Sequence, residues 1–329
     1  MLKVIPVEEA VGLPLAHDIT EIVPGKHKGP AFRRGHIIRS EDVSKLLDVG
    51  KAHIYVMELE QDELHEEDAA KRLAKAAAGP NIRLTEPVEG RVNLVAEIPG
   101  LLKVDADLLY KFNSLGDLIL ATLQGDRYAR QGDVLAGTRT IPVVVKEELI
   151  RRAEALCKSK PIVTLLPMPA KRVQLIVTGS EVFTGRIKDG FGPVVARKVS
   201  EMGSNVASVK FAPDDPDIIA GHIKDAHRAG ADVILVSGGM SVDPDDKTPE
   251  GIRRSGATVE THGFPVLPGS MFLMAYLDQT PVMGLSGCVL HDPFTAFDAL
   301  LPRLLAGERV TRAEIMALGY GGLQRKHDH

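Results

Sequence analysis

Leu175-Ile176-Val177-Thr178-Gly179-Ser180-Glu181 and, further along, Val233-Ile234-Leu235-Val236-Ser237-Gly238-Gly239-Met240-Ser241 decide how this chain reads. Each is an apolar run that stops abruptly in small and hydroxylated residues. Acids follow both: Asp189 after the first, and Asp243, Asp245 and Asp246 after the second. Two buried parallel strands ending this way build a ligand crevice at their carboxyl ends. Gly179 and the Gly238-Gly239 pair permit positive φ and close approach of the backbone to a ligand. Ser180, Ser237 and Ser241 offer hydroxyls, and loops that precede helix N-termini suit anions, phosphate in particular. Neither loop matches GxxxxGK[ST] or GxGxxG, which argues against a nucleotide-hydrolysing P-loop and a dinucleotide fold.

Around these two runs the pattern repeats as strand, loop, helix. Strands are expected at 172–178, 205–211, 232–237, 258–262 and 281–285, and helices at 191–202, 216–229, 248–255, 270–277 and 293–306. Strands alternating with helices imply βαβ units and a covered sheet. The fold class is therefore α/β, a three-layer α/β/α domain with a mostly parallel sheet over 161–329. It is preceded by a small mixed α/β region, 1–79, and a β-rich module, 80–160. In the first, Arg33 to Ile38 reads as a turn into a strand, Ser40 to Leu47 as a helix capped by Ser40, His53 to Met57 as a strand, and Glu63 to Ala78 as a helix stopped by Gly79-Pro80. In the second, short apolar runs at 92–98, 117–123 and 141–145 are separated by Gly, Pro and Asp turn signals. Lys146 to Cys157 reads as a helix, and Pro161, Pro167 and Pro169 as an ordered linker.

The chain has 329 residues, 44% apolar and 26% charged, with a net charge of −4. This is the composition of a folded globular protein. The mildly acidic balance argues against a broad nucleic-acid surface, since phosphate neutralisation needs clustered Lys and Arg; Lys26-His27-Lys28 and Arg33-Arg34 read as solvated loops. Trp is absent and aromatics are 4%, which disfavours base-stacking platforms. The two cysteines, Cys157 and Cys288, lie far apart and suggest neither a zinc site nor a disulfide framework. No run approaches a bilayer-spanning length and the N-terminus has no apolar signal core, so a cytoplasmic protein without a membrane partner is expected.

Glu181, Asp189, Asp214, Asp215, Asp243, Asp245 and Asp246 fall on or near strand-to-helix loops, where hard oxygen ligands can hold Mg²⁺ bridging phosphates. Singly, each has a plainer reading: Asp214, before Pro216, as a helix cap, and Asp243-Pro244 as turn chemistry.

At this point the residues reach a known family. Thr178-Gly179-Ser180-Glu181 followed by Gly185-Arg186-Ile187-Lys188-Asp189 resembles the T-G-(D/S)-E…G-x-I-x-D motif of the molybdopterin-binding superfamily. Ser237-Gly238-Gly239-Met240-Ser241 with Asp246 resembles its S-G-G-x-S/G…D loop, and Asp246-Lys247-Thr248-Pro249-Glu250 looks like the D-x-T-P-E of the adenylyltransferase branch. Order, spacing and βα context agree over 171–308. The resemblance implies a role in molybdenum cofactor biosynthesis. The multidomain layout is more similar to the molybdenumtransferase branch, which inserts molybdate into adenylylated molybdopterin with release of AMP. Carried over by motif, Asp189 and Asp246 serve catalysis, and Asp189, Asp243 and Asp246 hold Mg²⁺. Thr178, Gly179, Ser180, Glu181, Ser237, Gly238, Gly239, Ser241, Pro268, Gly269, Ser286 and Gly287 line the pterin and nucleotide pocket. The implied partners are a pterin phosphate, free or adenylylated, molybdate, and further copies of the chain in a dimer or trimer.

The chain also departs from the family pattern. An Asn-rich segment after the first acid is replaced by Gly190-Phe191-Gly192-Pro193. Pro268-Gly269-Ser270-Met271 lacks the Lys of P-G-K-P. Gly284-Leu285-Ser286-Gly287-Cys288-Val289 keeps only the glycines of G-L-P-G-N-P, and Ser241-Val242-Asp243-Pro244-Asp245-Asp246 has Asp243 where the family has Gly. The family's C-terminal β-domain is expected to be missing. A lost phosphate-facing Lys removes a cation from a polyanion site. The alternatives are a non-catalytic pterin-binding or regulatory relative and a nucleotide pyrophosphatase on the same domain. Cys288 with His291 is a weaker candidate nucleophile pair. Lys326-His327-Asp328-His329 reads as a frayed tail, and Met271, Met274 and Met283 as core.

Overall fold

A computed structural model describes residues 2–23, 27–57, 59–241 and 243–324; the C-terminal Lys326-His327-Asp328-His329 stretch and Lys26 lie outside the described residues. The chain divides into two compact units, one made of residues 1–98, 102–125 and 129–165 and the other chiefly of 166–329.

The first unit holds two hydrophobic cores. One gathers Val7, Leu15, Ile19, Phe32, Ile38, Leu46 and Ile54. There the strands Leu2–Pro6 and His53–Met57 pair antiparallel, and the strands Ile19–Val23 and His27–Phe32 form a second antiparallel pair. The helix expected from Ser40 runs over Asp42–Asp48 without a side-chain cap. Instead the Asp42 carboxylate accepts from the Arg39 amide at 2.9 Å and meets His36 Nε2 at 2.7 Å. Arg33 to Ile38 forms no strand, only an isolated bridge between Ile37 and Pro14. The other core lies under an antiparallel sheet of four strands in the order Ile82–Leu84, Val92–Ala96, Val134–Thr140, Leu118–Thr122. Helices Glu66–Ala77 and Glu147–Cys157 supply Leu73, Ala74, Ile150 and Ala153 to it. A helix over Ala106–Asn113, capped by Asp105, lies inside the segment read as a β-rich module, where no helix was expected before Lys146. The expected linker contains a strand, Val163–Pro167.

The helix read from Glu63 starts three residues later, because Glu63–His65 pairs with the strand Val144–Lys146. His65, fully buried, then caps the helix. Its Nε2 donates to Ala16 O at 2.7 Å, and its Nδ1 accepts from the Glu67 amide at 3.2 Å. Only the neutral ring can serve both bonds. Burial, with Arg34 nearby, lowers the pKa of His65, and burial also lowers that of His17. Both contributions to stability are therefore complete above the ordinary value of 6.5 and are lost as pH falls through the depressed folded values. Glu66 opposes them. Burial raises its pKa above 4.5, so its contribution is complete at low pH and is lost as pH rises through the raised value. Amide protection factors in helix Glu66–Ala77, which take out the intrinsic exchange rate, are expected to fall between pH 7 and pH 5.5 in the wild type. A Glu66→Gln variant, without the opposing group, is expected to show the larger fall. Exchange independent of pH, after correction for the intrinsic rate, would rule this out.

The second unit is built on one six-stranded sheet. We label its strands β1 (Arg172–Thr178), β2 (Asn205–Ala212), β3 (Val233–Ser237), β4 (Thr258–His262), β5 (Leu273–Leu277) and β6 (Thr280–Leu285), in the spatial order β2-β1-β3-β6-β5-β4. β2, β1, β3 and β6 are mutually parallel; at one side β5 pairs antiparallel with β6, and β4 antiparallel with β5, so that β5 alone runs against the rest. The period-2 alternation is visible in what each side chain buries. Val173, Leu175, Val177, Val233 and Leu235 enter one core, with helices α1 (Phe191–Glu201) and α4 (Ala296–Leu305). Ile176, Ile234 and Val236 enter the other, with helices α2 (Pro216–Arg228) and α3 (Thr248–Arg254). Both faces are covered, which gives the three-layer α/β/α arrangement.

One expected element is wrong. The helix at 270–277 is β5, joined to β6 by a tight turn in which Asp278 takes φ 53°. Leu273 to Tyr276 is buried on both faces, and a short apolar run of that kind has no periodicity to tell a buried strand from a buried helix.

Candidate functional site

The parallel register sets the ends of three strands side by side. Val177 is opposite Ser237, and Ser237 is opposite Leu285, so Thr178-Gly179, Gly238-Gly239 and Ser286-Gly287 leave the sheet together. Two neighbouring cavities open there. The first, about 510 Å³, is lined by Thr178, Gly179, Gly238, Gly239 and Ser241, with Val182 and Phe191 as its apolar wall and Glu181, Asp214, Asp243, Asp245 and Asp246 as its acidic rim. The second, about 390 Å³, shares Phe191, Gly238, Gly239, Ser241 and Asp246 and adds Met240, Met271, Ser286, Gly287 and Cys288. Both fall in the size range of small-molecule sites.

The glycines are required by geometry. Gly238 has φ 92°, and a Cβ there would lie 2.5 Å from Thr178 O. Gly239 has φ 54°, and its Cβ would lie 3.0 Å from Thr248 Oγ1. Ser237 is fully buried, and its Oγ has no hydrogen-bond partner among the described residues. By the alternation of β3 it lies on the face of Leu235, the side of the core that Phe191 and Cys288 pack against. An unpaired buried hydroxyl next to a cavity is a polar group waiting for a partner.

Among the described lining residues of the first cavity there is no Lys, Arg or His, and five carboxylates surround it. Such a rim repels a phosphate unless a cation lies between them. No group of three or more His, Cys, Asp or Glu among the described residues is arranged to hold a metal. Mg²⁺ shared with phosphate needs only one or two protein carboxylates, so the donor set fits it.

The acids do different things. Asp214 does not cap α2; its Oδ2 accepts from Ser180 N at 2.8 Å and Ser180 Oγ at 2.9 Å, tying the β1 loop to the β2 loop. Asp215 is the cap, accepting from the amides of Asp217 and Ile218. Asp243 makes the expected turn, its Oδ1 accepting from Asp245 N and its carbonyl from Asp246 N. Among the described residues, Asp246 is the one acid that lines both cavities. Asp189 lines neither: its Oδ1 accepts from the amides of Phe191, at 2.8 Å, and Gly192, at 3.1 Å, at the start of α1. Asp189→Ala is expected to cost about 1 kcal/mol of stability, the usual loss for a helix cap. Urea unfolding checks this, and an unchanged midpoint would contradict it.

Pro268 and Gly269 also lie off the cavities. Gly269, buried with φ 124°, packs where a Cβ would lie 2.7 Å from Ala296 N at the start of α4. Of the three methionines read as core, Met274 and Met283 are buried, whereas Met271 lines the second cavity. Burial pushes the Cys288 thiol up, and the Ser286 hydroxyl 3.0 Å from its sulfur only partly offsets this, which does not suit a thiolate nucleophile. Phe191 and Val182 are lining residues that no motif singled out; Asp245, one of the loop acids, and Met240, the variable position of the second motif, line the cavities as well.

Residues 174–306 match a family described as "Probable molybdopterin binding domain", and residues 4–58 match a "Domain of unknown function (DUF8806)". The first match supports the molybdopterin-binding superfamily for that segment. A CinA-like protein of Mycobacterium leprae is 36% identical over 83 residues, 25% of this chain and 19% of the relative. One from Mycobacterium avium is 36% identical over 89 residues, 27% of this chain and 20% of the relative. The matched stretch thus spans about a fifth of the length of these curated relatives. Among solved structures, the molybdopterin biosynthesis enzyme MoaB of Thermus thermophilus is 22% identical with a TM-score of 0.35, covering 42% of this chain and 98% of its own. No described helix is long and apolar enough to cross a membrane.

Proposed function

We propose that the second unit binds a molybdopterin phosphate together with Mg²⁺ at the ends of β1, β3 and β6, and acts in molybdenum cofactor biosynthesis. The observation that carries this reading is the pairing of a floor cleared of side chains at Gly238-Gly239 with a rim of five acidic residues and no Lys, Arg or His among the described lining residues. Backbone amides and the hydroxyls of Ser241 and Ser286 offer donors to a phosphate or a polar ring edge. Ser237 Oγ, without a hydrogen-bond partner among the described residues, lies on the same side. Asp246 and Asp243 would hold Mg²⁺, which when bound supplies positive charge to phosphate oxygens. Phe191 and Met271 give an apolar wall for a flat heterocycle. Asp189 in this reading orients α1, and through it Phe191, instead of touching the ligand.

The finer assignment is molybdenumtransferase-like: molybdate insertion into adenylylated molybdopterin with loss of AMP. A second reading, binding without turnover, is favoured by Ser270, which stands where the related motif has a Lys. The two separate when purified protein is mixed with adenylylated molybdopterin, Mg²⁺ and molybdate and AMP release is followed. Release that requires molybdate supports the transferase; saturable binding without AMP supports the second reading; no binding removes both.

A further inference from the structure

Thr248 lines neither of these two cavities, yet it is fully buried at the start of α3 with its hydroxyl 2.9 Å from that of Thr178. Thr178, also buried, already donates its one hydroxyl proton to Ser237 O at 3.0 Å. The Thr178–Thr248 bond is therefore donated by Thr248. The Thr248 amide donates to Gly239 O at 3.2 Å. One residue thus closes the turn that leaves β3 at Gly238-Gly239 and ties it to the end of β1. We infer that Thr248 is a positioning residue of this site, holding the turn that carries Asp243, Asp245 and Asp246 at the mouth of the cavity.

Both anchors of this clamp are rigid. Thr178 sits in the parallel sheet between β2 and β3. α3 is pressed against α2 so closely that a Cβ on Gly251 would lie 2.6 Å from Ile219 Cγ2. The acids beyond are held more loosely: Asp243 and Asp245 are exposed, and the backbone bonds at Asp245 and Asp246 are local to the turn. Gly239 completes the arrangement, since any side chain there would meet the Thr248 hydroxyl. Because both threonines are buried, loss of the Thr248 hydroxyl removes a bond that bulk solvent does not readily replace.

This inference rests on reading the cavity as a magnesium–phosphate site, so its test has one arm that needs no ligand. Amide exchange in the full chain alone is expected to lose protection at Asp246 and Thr248 in Thr248→Val and to keep it in Thr248→Ser, which retains the hydroxyl. With molybdopterin as probe, Thr248→Val is expected to raise the Mg²⁺ concentration for half-maximal binding about tenfold, with Thr248→Ser close to wild type. A merely structural hydroxyl would lower the unfolding midpoint and leave the Mg²⁺ demand alone. Unchanged exchange in Thr248→Val, or an unchanged Mg²⁺ demand, overturns the inference. Thr248→Ala serves should the valine variant fail to fold. If the wild-type protein binds no molybdopterin, the functional reading fails, and the exchange arm alone decides whether the clamp exists.

Discussion

Gly238→Ala is expected to lower the stability of the second unit by about 3 kcal/mol and to abolish ligand binding at the cavity. Two costs add. A side chain at φ 92° leaves the favoured backbone regions, roughly 1–3 kcal/mol at such positions. The new Cβ would also stand 2.5 Å from Thr178 O, which is backbone and cannot rotate away. Overpacking of this kind costs about 1–3 kcal/mol more. Relief requires β1 and β3 to part at the ends that form the cavity floor, so stability and binding fall together. Urea unfolding followed by a probe in the second unit checks the first effect. A midpoint within experimental error of wild type would refute the packing account of this loop.

The second large effect is at Asp246. Asp246 lines both cavities, and Asp246→Ala removes its carboxylate without touching the sheet. A charge-assisted contact to a metal–phosphate centre is worth about 1.5–3 kcal/mol, so affinity for molybdopterin with Mg²⁺ is expected to fall about a hundredfold. The fold is expected to survive, because Asp246 is half-buried and only its amide, which alanine keeps, bonds within the turn. Unaltered affinity in a folded Asp246→Ala protein would move the centre to Asp243, Asp245 or Glu181.

The parallel sheet was legible because Leu175 to Val177 and Val233 to Val236 are apolar without alternation, the pattern of strands buried on both faces. The same property hid β5. Leu273-Met274-Ala275-Tyr276-Leu277 is equally apolar, but only its pairing with β6 across Asp278 shows that it is a strand. The glycine-floored cavity could be read from Gly238-Gly239. The division of labour among the acids could not. Neighbouring Asp214 and Asp215 look alike in sequence, yet one holds Ser180 and the other caps α2. Asp189 lies in a recognisable motif, but its two bonds to the start of α1 depend on how the loop folds back. His65 was hidden for a similar reason, since its partner Ala16 is distant in the chain. Contacts of this kind are set by tertiary packing and leave no local pattern.

The proposed magnesium bridge stands between this acidic rim and a pterin phosphate. It is tested most directly by titrating molybdopterin into the purified chain with Mg²⁺ present and again with Mg²⁺ chelated. Saturable binding of one ligand per chain that disappears on chelation is the expected result. Binding that is equally tight without a divalent cation, or no binding at any Mg²⁺ concentration, would contradict it.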